Sequence, residues 1–153
     1  MARYDVVDEG IIDADCSTVF KAYIDEFGGI THWWMPLWQS KLRGDDTIIQ
    51  KGSVGDIRVN HKGTSKFAAR VTELVEDKLV NVEFFEGDFI GTGEWTFEPL
   101  DGKTKVRFRW KVKTNGLLTT LVALIINIGK VHSEVIQEGF KSLNRHLSQS
   151  KTN

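Results

Sequence analysis

Between Thr104 and Lys113 the chain alternates without a slip: Val106, Phe108, Trp110 and Val112 fall on one side, and Lys105, Arg107, Arg109, Lys111 and Lys113 on the other. A period of two belongs to an extended strand, and this split in polarity requires one buried face and one wet face. Such a strand sits in an antiparallel sheet covered on one side only. What covers it comes next in the sequence. From Asn115 to about Gln149 the period becomes helical, with His132, Val135, Ile136, Gly139, Phe140, Leu143 and Leu147 along one stripe. A half-apolar sheet and one long amphipathic helix make an α+β arrangement.

The upstream pattern supplies the rest of the sheet. Tyr4 to Asp13 reads as a first strand. Asp15 or Ser17 then caps a short helix carrying Val19, Phe20, Tyr23 and Ile24 on one face, and Gly28 and Gly29 end it. The tryptophan-heavy segment Ile30 to Trp38, closed by Pro36, reads as a second short helix. Strands are expected over Thr47–Gln50, Gly55–His61, Ser65–Leu74, Leu79–Glu86 and Phe89–Glu98, with Asp101-Gly102 as a hairpin turn. A curved sheet wrapped on a helix must fill its interior with side chains or leave a cavity.

Length and charge bound the function. The 153 residues are expected to form a single domain over 1–153, with 148–153 a frayed polar tail. Twenty basic against 21 acidic residues argue against a chain that coats nucleic acid. Cys16 is the single cysteine, which excludes an internal disulfide and fits a reducing compartment. Acids occupy the positions near the N-terminus where a secretion signal needs an apolar run, so the expected location is cytoplasmic. Leu117 to Ile128 is strongly apolar, yet twelve helical residues reach only about 18 Å against a bilayer core of about 30 Å.

Several segments, taken together and in order, resemble the START/Bet v 1-like helix-grip superfamily of polyketide cyclase/dehydrase and lipid-transport proteins. They are Asp13 to Phe20, the Trp33-Trp34 pair, Val54-Gly55-Asp56, Ala69 to Leu74, Trp95 to Val106 and Gly139 to Leu147. The resemblance implies a curved antiparallel sheet gripping the C-terminal helix, with two short helices after the first strand and a deep apolar cavity between sheet and helix. It leaves the chemistry open, because the fold hosts carriers, receptors, cyclases and co-chaperones.

The residues themselves carry no catalytic motif: there is no glycine-rich phosphate loop and no Gly-x-Ser-x-Gly. His32, His61, His132 and His146 are never three or four apart, so no metal site and no cofactor are expected. His61 shares the inward parity of Ile57 and Val59, and His132 lies on the apolar face of the last helix; these two are the candidates for acid/base work. Trp34 reads as a core plug, Trp33 equally as a plug or a ligand contact, and Trp38 as an exposed or loop-packing ring. Arg70 and Glu83 read as a cross-strand pair on the wet face. The basic stripe of Lys105 to Lys113 reads as a solvated face neutralised by Glu94 and Glu98.

Three functions remain open. The first is a carrier or sensor for a small hydrophobic molecule, lipid-, polyketide- or isoprenoid-like. Its expected ligand contacts are Trp33, Trp34, Val59, His61, Phe67, Ala69, Phe84, Trp95, Phe97, Phe108, Trp110, Ile136 and Phe140, with Ile57, Val82, His132 and Val135 in the wider lining. The second is a cyclase/dehydratase-like enzyme using His61 or His132. The third is a co-chaperone-like interaction module. In the apolar run, Leu121, Leu124, Ile125 and Ile128 form one stripe expected to face inward. Leu118, Val122 and Ile126 form a second, for a homodimer or a lipid surface.

Overall fold

The computed structural model describes residues 2–151. The elements run β1 (Arg3–Ile12), α1 (Cys16–Phe27), β2 (Trp38–Leu42), β3 (Val54–Asn60), β4 (Thr64–Val75), β5 (Leu79–Gly87), β6 (Phe89–Leu100), β7 (Lys103–Thr114), α2 (Leu117–Val122) and α3 (Ile128–Lys151). The seven strands form one sheet in the order β1-β7-β6-β5-β4-β3-β2, every pairing antiparallel. The β4–β5 ladder is irregular twice, with Phe85 of β5 extra opposite Ala68/Ala69 and Thr72 of β4 extra between Val71 and Glu73; a bulge bends the strand that carries it. The long helix α3 lies in the hollow of this curled sheet, the helix-grip arrangement.

The alternation in β7 sets which face turns in. Val106, Phe108, Trp110 and Val112 are buried, while Arg107 and Lys111 are exposed and Arg109 is half-buried. The acids in ion-pair contact with this stripe come from β1. Arg109 makes a two-pronged contact with Asp5 at 2.9 and 2.8 Å, and Glu9 receives Lys105 at 3.4 Å and Arg107 at 3.6 Å. Glu94 and Glu98 stand opposite Arg109 and Lys105 in the β6–β7 register, and Glu94 adds a Coulombic attraction to Arg109. The Asp5 carboxyl is held below its ordinary range by the hydrogen bonds from Arg109. Arg70 and Glu83 are direct cross-strand partners on the wet face, as expected, although the Arg70 guanidinium lies over the Phe85 ring at 4.3 Å.

α3 is fastened to β1 by polar contacts along one flank. The buried Asp8 carboxylate accepts from Ser133 Oγ at 3.0 Å and Gln137 Nε2 at 3.2 Å. Further along, Asn144 Nδ2 donates to the Ile11 carbonyl at 3.0 Å, and the Asp13 N–H donates to Asn144 Oδ1 at 2.9 Å. Two glycines let rings approach the backbone here: a Cβ on Gly139 would overlap the Trp34 indole, and one on Gly10 would overlap the Phe140 ring.

Six sequence expectations are corrected. The second short helix is a run of turns over 33–37, because the Trp33 and Trp34 N–H groups bond to a side chain and Pro36 disfavours helix in the residue before it. No strand forms over 47–50, where the chain turns back and the Gln50 N–H bonds Ser53 Oγ at 3.0 Å; the strand instead is β2. Trp38 on β2 is therefore buried, stacked on Trp34 with ring centroids 4.7 Å apart. The apolar run does not form one helix: α2 stops at Val122, so helical spacing does not carry through 123–127. Of the stripe expected to face inward only Ile128 is buried, and Leu121, Leu124 and Ile125 are exposed together with Leu118. α3 also continues through Ser148 to Lys151, where a frayed tail was expected; residues 152–153 of that tail lie outside the described residues.

Candidate functional site

The sheet's inner face and α3 bound a partly open apolar cavity of about 110 Å³. Eight of the thirteen expected ligand contacts line it: Val59, Phe67, Ala69, Phe84, Trp95, Phe108, Trp110 and Ile136. His132 and the wider set Ile57, Val82 and Val135 line it as well. The pairing register explains why they converge. β4, β5, β6 and β7 are neighbours, so inward positions such as Ala69, Phe84, Trp95 and Phe108 tile one concave surface.

Five expected contacts do not line it. Trp33, Trp34, Phe97 and Phe140 belong to the packing around it, with Phe97 and Phe140 each about 4% exposed. His61 lies one residue beyond the end of β3, where strand parity no longer governs its direction. It sits at the rim, half-buried, with Nε2 3.8 Å from Glu134 on α3; Lys62 reaches the same carboxylate at 3.4 Å.

Other lining residues escaped the sequence reading. Val80 shares the parity of Val82 and Phe84, so alternation alone would have found it. Trp38 was lost with its strand, and Phe27 and Phe89 stand at element ends where periodicity carries little information.

Glu26 is the buried acid that organises this end of the molecule. It is 2% exposed and accepts three hydrogen bonds: Thr31 Oγ1 at 2.7 Å, the Trp33 N–H at 3.1 Å and the Trp34 N–H at 2.9 Å. Trp33 and Trp34 are thereby held in a parallel stack, centroids 5.6 Å apart, and Trp34 Nε1 donates to the Val135 carbonyl at 3.0 Å. Burial, with Glu26 nearby, pushes the Tyr23 phenol far above its usual range, and its hydroxyl has no hydrogen-bond partner. Tyr23 packs among these rings and does not line the cavity.

The cavity's polarity is concentrated in few groups. Among the described residues no Asp, Glu, Lys or Arg lines it; Ser40, Ser53, Ser65 and His132 supply its polar side chains. The His132 ring lies flat on Trp110, centroids 3.9 Å apart and planes 9° from parallel, and tilts against Phe108. Its Nε2 is shut off from solvent and has no partner. Burial depresses its pKa to about 3, so the imidazole is neutral at physiological pH. His132 thus lacks the carboxylate partner that would orient it as a general base. Among the described residues no group of three His, Cys, Asp or Glu side chains could hold a metal ion.

This depressed pKa has a consequence for stability. The unfolded imidazole takes up a proton as pH falls through about 6.5, whereas the folded one resists until about 3. His132 therefore adds no penalty above pH 6.5, and below it the folded state loses up to about 1.4 kcal/mol per pH unit. Urea titrations at pH 7, 6 and 5 should show this loss in the wild type and not in His132→Leu. Parallel pH profiles would contradict the neutral imidazole.

Comparison with known proteins places the fold. The sequence profile described as polyketide cyclase / dehydrase and lipid transport matches residues 3–147. The chain belongs to this family. Among solved structures, TTHA0849 from Thermus thermophilus superimposes with a TM-score of 0.73 at 16% identity, covering 96% of this chain and 99% of that one. A START superfamily protein from Mycobacterium smegmatis gives 0.68 at 15% identity, covering 95% and 97%. The Zhui aromatase/cyclase from a Streptomyces species gives 0.64 at 12%, covering 92% and 94%. At these identities the likeness shows the fold. No curated protein matches the sequence at a significant level. Among the described residues no helix is long and apolar enough to cross a membrane.

Proposed function

We propose that this member of the polyketide cyclase/dehydrase and lipid transport family is a cytoplasmic carrier or sensor that holds a small hydrophobic molecule between sheet and α3. The observation that carries this reading is the partly open apolar cavity of about 110 Å³, with no charged side chain in its wall among the described residues. Burying apolar surface there yields roughly 25 cal/mol per Å². The volume compares with the engineered cavity of about 150 Å³ that takes benzene, and lies below the roughly 300–1,000 Å³ of drug-sized sites. The ligand is accordingly about one ring, or a short isoprenoid-like chain. An orienting carboxylate on a cavity histidine would have supported a cyclase/dehydratase; His132 has none.

Calorimetry with p-xylene tests the reading. Wild type should bind it, and Val59→Trp, which fills the lining, should not. His61→Gln and His132→Gln should keep its affinity within about tenfold, or about 1.4 kcal/mol. A turnover abolished by either histidine change, with p-xylene binding intact, would replace the carrier by the enzyme.

A specific observation supports a second part of the proposal. Leu118, Leu124 and Ile125 are 76%, 80% and 88% exposed, beside the cavity-lining Ile128. Each such side chain left in water forfeits about 1.5–3 kcal/mol. The reading is that this face, with Val122 and Ile126 at its margin, joins two copies of the chain. Sedimentation should show a wild-type dimer that Leu118→Glu/Val122→Glu splits. A wild-type monomer that floats with liposomes would assign the face to lipid instead.

A further inference from the structure

We propose that the ligand of this cavity is a small aromatic molecule carrying one hydroxyl, and that this hydroxyl hydrogen-bonds His132 Nε2. The inference rests on the carrier-or-sensor reading and adds the chemical class. Buried polar atoms are almost always paired, so an orphan in a cavity wall is a vacancy for a polar partner. Nε2 is such an atom, closed to solvent and without a partner. Its ring cannot swing elsewhere easily, because it is stacked face to face on Trp110 and held against Phe108.

The wall decides which polar group fits. A neutral imidazole has one N–H and one acceptor nitrogen, and a hydroxyl, being both donor and acceptor, satisfies Nε2 in either tautomer. A carboxylate or an ammonium would be stripped of water with no counter-charge in the lining, at a cost that burial does not recover. Phe84, Trp95, Phe108 and Trp110 present ring faces and edges to the same space, which suits a flat aromatic body. The cavity volume, about 110 Å³, holds one such ring.

The test is a matched pair of probes, p-cresol and p-xylene, which differ by a hydroxyl in place of a methyl. Their affinities are measured by calorimetry on wild type and on His132→Leu. The preference for p-cresol over p-xylene should fall at least tenfold in the variant, with p-xylene affinity changed less than about threefold. In wild type, the His132 Nε2 nitrogen resonance should move with p-cresol and stay in place with p-xylene, a readout that does not need the variant to fold. An unchanged preference, or a resonance that ignores p-cresol, overturns the inference while p-xylene binding leaves the cavity reading intact. Uptake of neither probe overturns both.

Discussion

Trp110→Ala is expected to lower the free energy of unfolding by about 3–5 kcal/mol, the range for emptying a large ring from a packed core. Trp110 is 3% exposed and touches Tyr4, Phe89 and His132 through its ring, so its removal leaves a hole continuous with the ligand cavity. Arg109→Ala, one residue earlier, should cost only a small fraction of that. Its paired guanidinium lies on the wet face, where ion pairs are screened and weak. Urea titrations of the two variants check this. Equal losses would contradict the alternation that turns Trp110 in and Arg109 out.

Glu26→Ala should be nearly as damaging, by about 2–4 kcal/mol. The substitution leaves the Trp33 and Trp34 N–H groups without their acceptor, and each buried donor left unpaired costs about 1–3 kcal/mol. Glu26→Gln keeps one acceptor oxygen and should fall between wild type and Ala. Denaturation followed by tryptophan fluorescence is the measurement, because Trp33, Trp34 and Trp38 form the stack that this carboxylate holds. An alanine variant as stable as wild type would show that the stack does not depend on Glu26.

The two predictions differ in how far the sequence announced them. β7 was legible because nine consecutive positions alternate between apolar and basic, a pattern no helix produces. α3 was legible from its apolar stripe, and with both in hand the cavity wall on β4 to β7 followed by parity. Glu26 was not singled out, although it falls on the stripe of Val19 and Tyr23 at spacings of four and three. An acid on an apolar stripe signals a buried acceptor waiting for donors. β2 was hidden because Gln39, Ser40 and Lys41 give it no apolar run; it exists through its backbone pairing with β3. His61 shows where parity runs out, one residue past a strand end. The exposed apolar run shows the same for helical spacing, which means nothing once the helix has stopped at Val122.

The polar seam between α3 and β1 has a consequence for how such a protein can diverge. Asp8, Ser133, Gln137 and Asn144 hold the helix on the sheet, and none of them lines the cavity. The scaffold's attachment and the ligand's surroundings are thus written in separate residues. Drift in the lining changes volume and shape, and with them the preferred guest, while the grip keeps its register. Drift in the seam threatens the architecture and leaves specificity untouched. A lineage built this way can explore new guests at a fixed fold.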